Sequence, residues 1–188
     1  MALTKLNARS ASALDATILT GNLPAISGAS LTGVGISVAD TWRISASFTG
    51  TASPIASNWV QQNTAGMGTI GSGMTQSSGI FSFPSTGVYA ITYYAYINGA
   101  VESRYNSIQI YATINNSAYT HMAENSQFIQ ETSGSVAYSS VVCQTYFDVT
   151  DTSQCKIRFH FVPANANVEA LGSNYSATNV SFIRLGDT

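Results

Sequence analysis

The hexapeptide GMGTIG, Gly66 to Gly71, spells the glycine pattern that cradles a dinucleotide pyrophosphate. That chemistry needs a buried strand before the glycines and a helix after them, whose N-terminus meets the phosphates. Here SGMTQSSG follows, which cannot start a stable helix, and no acidic residue stands about twenty positions on to hold a ribose. The context predicts a flexible loop and no nucleotide. The two histidines, His121 and His160, do not suffice for zinc without further ligands converging on them. His160 shares one strand face with Lys156 and Arg158, which predicts a solvated or interface position. A cysteine–histidine nucleophile would require Cys143 or Cys155 to leave the core and meet an orienting third group. The carboxylates stand singly, without the pair used in glycoside hydrolysis. Glu124, Glu131, Asp148 and Asp151 lack the spacing of a calcium loop. No catalytic residue, cofactor or metal site is expected.

Composition narrows the classes further. Only 9% of the 188 residues are charged, against about 25% in ordinary soluble domains. A net charge of −2 with no Lys/Arg cluster excludes a nucleic-acid footprint. Nothing approaches the roughly eighteen consecutive apolar residues that a membrane span requires. The opening MALTKLNARSASALDA has no continuous apolar core of the kind a secretory signal carries, so neither secretion nor membrane insertion is expected. A low-charge, tyrosine-rich surface suits faces that are buried against copies of the same chain.

The elements that would position these residues are strands. From Asp40 onward, short apolar–polar alternations predict strands near 42–49, 55–61, 78–83, 87–98, 104–115, 117–123, 136–149, 155–162 and 177–186. Asn115-Asn116 closes one hairpin with residues that tolerate positive φ. CQTYFDVTDTSQC reads as another, with Cys143 and Cys155 pointing inward but out of register; that favours buried free thiols over a disulfide. Many short strands with frequent turns and no long helical period indicate an all-β antiparallel sandwich of jelly-roll type. Both faces of residues 87–98 are unusually apolar, and the second face has no explanation within one chain. Residues 1–40 differ in character. Their spaced Leu14, Leu19, Leu23, Ile26, Leu31 and Val34 among small polar residues cannot close a core alone, so this segment is expected to be extended or to fold against partners.

The stretch GIFSFPSTGVY, Gly79 to Tyr89, resembles the G-x-F-x-x-P-x-x-G-x-Y signature of complement C-one-q and tumour-necrosis-factor-like jelly rolls. The resemblance continues in order through TWRISASFTG, IQIYATINN, AYSSVVCQTYFDVTDTSQCKIRFHF and NYSATNVSFIRL. It covers residues 41–188, apart from a few at the end. Val180 and Phe182 stand where that family usually has Phe and Gly, which marks distant kinship. The resemblance implies a homotrimer packed through aromatic faces, with Tyr94 and Tyr96 against neighbouring subunits.

MALTKLNARSASALD and GNLPAISGASLTGVG resemble N-terminal stretches of small structural proteins of tailed bacteriophages, especially marine ones. This implies that residues 1–40 anchor the chain to another virion protein and that a trimeric head is exposed on the particle. Host-surface adsorption through a glycan or protein receptor is the expected role. Capsid decoration is the alternative, a polysaccharide-degrading spike a more distant one, and a secreted ligand of the same fold is disfavoured by the missing signal. Candidate receptor residues lie in three presumed loops: Tyr105 in NGAVESRYN; Asn125, Gln127 and Phe128 in HMAENSQFIQETSGS; and Asn174 and Tyr175 in PANANVEALGSNYS.

Overall fold

A computed structural model describes residues 35–63 and 66–188. Most of the segment read as an anchor, up to residue 34, lies outside the described residues. The described residues form twelve strands: β1 (Ala39–Ile44), β2 (Phe48–Thr49), β3 (Trp59–Gln61), β4 (Thr75–Ser77), β5 (Ile80–Ser82), β6 (Gly87–Gly99), β7 (Ser103–Thr113), β8 (Thr120–Ile129), β9 (Ala137–Val149), β10 (Lys156–Pro163), β11 (Glu169–Ala170) and β12 (Asn179–Gly186). All pairings are antiparallel.

One sheet runs β2-β11-β6-β12-β1-β3, with β9 on the other side of β6; the second runs β4-β5-β10-β7-β8. This is the expected all-β jelly-roll sandwich. The period of two along β6 buries Tyr89, Ile91, Tyr93, Ala95 and Ile97 between the sheets. Phe81 sits at the centre of an aromatic cluster that ties the sheets together. Its ring meets Trp42, Trp59, Phe159 and Phe182 at centroid distances of 5.5, 5.3, 5.4 and 5.5 Å, within the range where edge and offset contacts are favourable.

The motif that leads into β6 has a steric basis at its first glycine, in the turn between β4 and β5. Gly79 adopts φ +78°, and a Cβ there would lie 2.1 Å from the Ile55 carbonyl oxygen. Tyr89 then reaches back so that its hydroxyl donates to the Ser85 carbonyl at 3.0 Å. Gly79→Ala is therefore expected to cost ~2–4 kcal/mol, readable as a lower midpoint in urea unfolding. An unchanged midpoint would contradict this account of the motif.

Three expectations about elements need correction. First, β1 begins at Ala39, and Val38 and Asp40 are already buried, so the boundary read at residue 40 falls inside the first strand. Second, the stretch from Cys143 to Cys155 is not a hairpin. β9 pairs with β6 in one sheet, whereas β10 pairs with β5 and β7 in the other, so the turn at Asp151 carries the chain across the sandwich. Cys143 and Cys155 are nonetheless buried free thiols, as expected. Third, β8 continues to Ile129 and is not a loop after residue 123. As an edge strand exposed along most of its length, it has no hydrophobic period to betray it.

Candidate functional site: an apolar sheet face and the far-end connections

The unexplained second face of β6 opens outward from the larger sheet. Registers line its residues up in rows. One row reads Val142, Tyr94, Asn179, Arg43 and Val60; another reads Tyr146, Ala90, Ile183 and Ala39. Tyr94 and Tyr96 are half-buried by their neighbours. Tyr96 stacks on Tyr138 with centroids 5.6 Å apart. The most exposed members lie on β9, with Tyr138 at 59%, Val142 at 47% and Tyr146 at 65%. Sequence reasoning found Tyr94 and Tyr96 but missed these three. The signal was present as the outward alternation of YSSVVCQTY, four residues apart at each step.

This face adjoins an open edge. Among the described residues, the thirteen-residue β9 pairs only with β6, so its outer backbone groups join no further ladder, although β8 packs close by. Long unpaired edges are templates for association. One group is capped internally, because Asn125 Nδ2 donates to the Val142 carbonyl across the sandwich edge at 2.7 Å.

That bond changes the reading of the presumed receptor residues. Asn125, Gln127 and Phe128 stand on β8. Asn125 serves the edge of the sandwich, Gln127 is half-buried, and Phe128 points outward with 58% exposure. Tyr105 lies in the irregular start of β7, exposed, where the register with β8 shifts between Ser103 and Asn106. Asn174 and Tyr175 do occupy a loop, between β11 and β12, and are exposed. Registers put the ends of these segments at one end of the sandwich, opposite the start of β1. Ser103 pairs with Ile129, Pro163 with Asn106, and Glu169 with Asn98, whereas Ala39 pairs with Ile183 beside Ala90. Phe128 and Tyr175 occupy opposite flanks of that end, because β8 packs over β9 while the 171–178 connection leads into β12 on the far side of β6. They do not form one site.

Several of the candidate reactive groups are engaged structurally. Cys143 is buried beside the Ile108 carbonyl, and burial, reinforced by Glu124, pushes its thiol up to about 12. A thiol held protonated is no nucleophile. GMGTIG runs along β1, with Ile70 and Ala39 exchanging both backbone hydrogen bonds at 2.8 and 3.2 Å, and leads to strand β4. Asp151 Oδ1 accepts from the Ser153 backbone and hydroxyl at 2.7 Å each, closing its own turn.

His160 is not solvated, contrary to expectation. The 52–55 stretch hydrogen-bonds along β10, which brings Ser53 Oγ within 2.7 Å of His160 Nδ1, and the ring stacks on Tyr111 at 4.3 Å. Burial, then Arg158 and then His121, holds its pKa down at about 4. The unfolded imidazole titrates near 6.5, so the unfolded state binds more protons below that pH and the folded state loses stability as pH falls from about 6.5 to 4. The loss attributable to His160 should approach ~3 kcal/mol at the acid end. Thermal unfolding against pH checks this: His160→Phe should flatten the slope in that window, and an unchanged slope would refute the assignment.

No family model matches the chain, and no curated protein matches it at a significant level. Solved structures do match. Eiger TNF from S. frugiperda is similar at a TM-score of 0.59 and 12% identity, over 82% of this chain and 96% of that one. Murine APRIL at pH 5.0 is similar at a TM-score of 0.52 and 15% identity, over 79% of this chain and 98% of that one. At such identities the likeness concerns the fold, which is a tumour-necrosis-factor-like jelly roll.

Proposed function

We propose, starting from that jelly roll, that the chain is a non-enzymatic structural and binding protein. It assembles as a homotrimer through the outer face of β6, β9 and β12, and serves as the exposed head of a bacteriophage appendage that adsorbs to the host surface. The observation that carries the self-association is the outward group of Tyr94, Tyr96, Tyr138, Val142 and Tyr146, interspersed with Thr92, Ser140 and Gln144, beside the unpaired β9 edge. Apolar area of this kind, next to an open strand, is ordinarily covered in a soluble assembly. The non-enzymatic reading rests on side chains already committed elsewhere: Cys143 is kept protonated, His160 is stacked and buried, and among the described residues the carboxylates form no cluster with each other or with His and Cys. The virion assignment rests on the resemblance of residues 1–40 alone, and localisation on the particle follows from it.

The test uses particles. Residues 1–34 are the part to remove, since Val38 to Asp40 belong to the sandwich. Deletion of 1–34 should leave a soluble trimer that no longer joins the virion, as read by particle purification and immunoblotting. A truncated chain that still enters particles would overturn the anchoring role. Tyr175→Ala should reduce particle adsorption to host cells by about tenfold if the far-end loop supplies a contact hot spot. Full adsorption by intact trimers carrying both Tyr175→Ala and Phe128→Ala would favour capsid decoration instead.

A further inference from the structure

The outer face of the smaller sheet carries both histidines and two of the chain's few cations. Tyr111 lies between two imidazoles, parallel to His121 at 4.7 Å and to His160 at 4.3 Å. Arg158, paired with Tyr111 in the β10–β7 register, lays its guanidinium 4.0 Å over the Tyr119 ring and 5.7 Å from the Tyr111 ring. Such contacts fix the planar group in place. Among the described residues no carboxylate pairs with Arg158, because Glu124, the acidic residue on this face, lies 3.5 Å from His121.

Two buried polar atoms here have no partner: Arg158 Nε and His160 Nε2. His160 is 96% buried, and its Nδ1 is occupied by Ser53. When the Ser53 hydroxyl donates to Nδ1, Nε2 carries the proton. The face then offers two donors without acceptors, two residues apart on the same side of β10. A buried donor without an acceptor is destabilising, and buried polar groups are otherwise nearly always satisfied. Two adjacent exceptions single out this face; both atoms are covered, and the half-buried Arg158 presents the rest of its side chain to solvent beside them.

We propose that this face, centred on Arg158, binds the carboxylate of an acidic sugar. The edge of a guanidinium matches two coplanar oxygens, which a carboxylate supplies. Around it stand Gln109, paired with His160 in register, Ser107, which meets Ser126 at 2.6 Å, Val162 opposite Ser107, the Glu124 carboxylate opposite Gln109, and Lys156 as a further cation along β10. A polar surface bearing aromatic rings and an arginine without a carboxylate partner suits an acidic polysaccharide better than an apolar ligand. The site lies on the sheet opposite the apolar face, so self-association leaves it open. It does not depend on the virion reading.

Because the chain has only two histidines, imidazole NMR of the intact protein reports the site directly. Titration with trigalacturonate should shift the His160 resonances saturably, while neutral galactotriose should not. A bound anion favours the imidazolium, so the His160 titration should also move upward; the groups facing it are Arg158, Tyr111, Gln109, His121, Glu124 and Ser53. Arg158→Gln should weaken binding by at least about tenfold, with Arg158→Lys in between. Absence of a shift, equal binding of the neutral sugar, or full affinity in Arg158→Gln would overturn the proposal. Acetate or inorganic sulfate binding as tightly as the oligosaccharide would also overturn it, as a generic anion pocket. If Arg158→Gln fails to fold, Arg158→Lys and the sugar comparison on the unaltered protein still decide.

Discussion

Tyr94→Lys should convert a stable trimer into a folded monomer. In the proposed assembly Tyr94 lies in the middle of a row running from Val142 to Val60, where no carboxylate stands in register to receive an ammonium. A lysine buried there without a partner costs about 3–5 kcal/mol per site, and threefold symmetry repeats the cost at each subunit contact. In the isolated chain the same lysine can lay its methylenes along the sheet and keep its charge in water. The fold should therefore survive while the assembly fails. Sedimentation at micromolar concentration gives the mass, and circular dichroism the fold. Tyr146→Lys should act in the same way, while Gln109→Lys on the opposite sheet should leave the trimer intact. A wild-type chain that sediments as a monomer, or a Tyr94→Lys chain that stays trimeric, would refute the assignment of this face.

The second large effect is expected at Asp40. This buried carboxylate receives Trp42 Nε1 at 2.8 Å, the Met74 backbone N–H at 2.7 Å and Gln61 Nε2 at 3.1 Å, with Thr69 Oγ1 at 3.3 Å. It joins β1, β3 and the connection ahead of β4 through donors that have been removed from water. Asp40→Ala leaves at least two of those donors buried and unsatisfied, for a loss of about 3–5 kcal/mol. In a domain of this size that corresponds to a fall in Tm of about 10 °C. Asp40→Asn, which keeps one acceptor oxygen but turns an amide N–H₂ toward the donors, should fall between the two. Calorimetry measures the shift, and protease cleavage among residues 66–73 should accelerate in parallel. A shift below about 2 °C would mean that water satisfies the donors and that the carboxylate does not hold the loop.

Asp40 was not legible in the sequence, and the reason is informative. It stands at the edge of a low-complexity segment, and nothing local marks it as buried; only the fold brings Trp42, Gln61, Thr69 and Met74 to it. The elements that were legible carry strong local constraints. Residues 87–98 show an unbroken period of two, and Gly79 answers to a backbone crossing that no side chain can share. Asn115-Asn116 turns through positive φ at Asn116 and caps its own hairpin through Asn115 Oδ1. The misreadings came from positions where local pattern and tertiary placement diverge. A polar turn between two apolar strands looks the same whether the chain folds back in one sheet or crosses to the other, so the Cys143–Cys155 stretch carries no local sign of its crossing. His160 alternates onto the polar face with Lys156 and Arg158, yet the 52–55 stretch covers it. The two tyrosines at the centre of the apolar face were recognisable, whereas its β9 half required the register.

The placement of the connections also bears on how such a protein can change over generations. Residues 100–102, 130–136 and 174–175 open at the end of the sandwich opposite the start of β1, and their exposed side chains have little part in the aromatic cluster around Phe81. Substitutions or short insertions there alter what the surface presents without disturbing the buried rings. At the opposite end, Gly87 sits against the Gly186 carbonyl, and a Cβ would meet that oxygen at 2.4 Å. Variation should therefore accumulate at one pole and be purged at the other, so that a lineage can acquire new surface specificities while inheriting an unaltered scaffold.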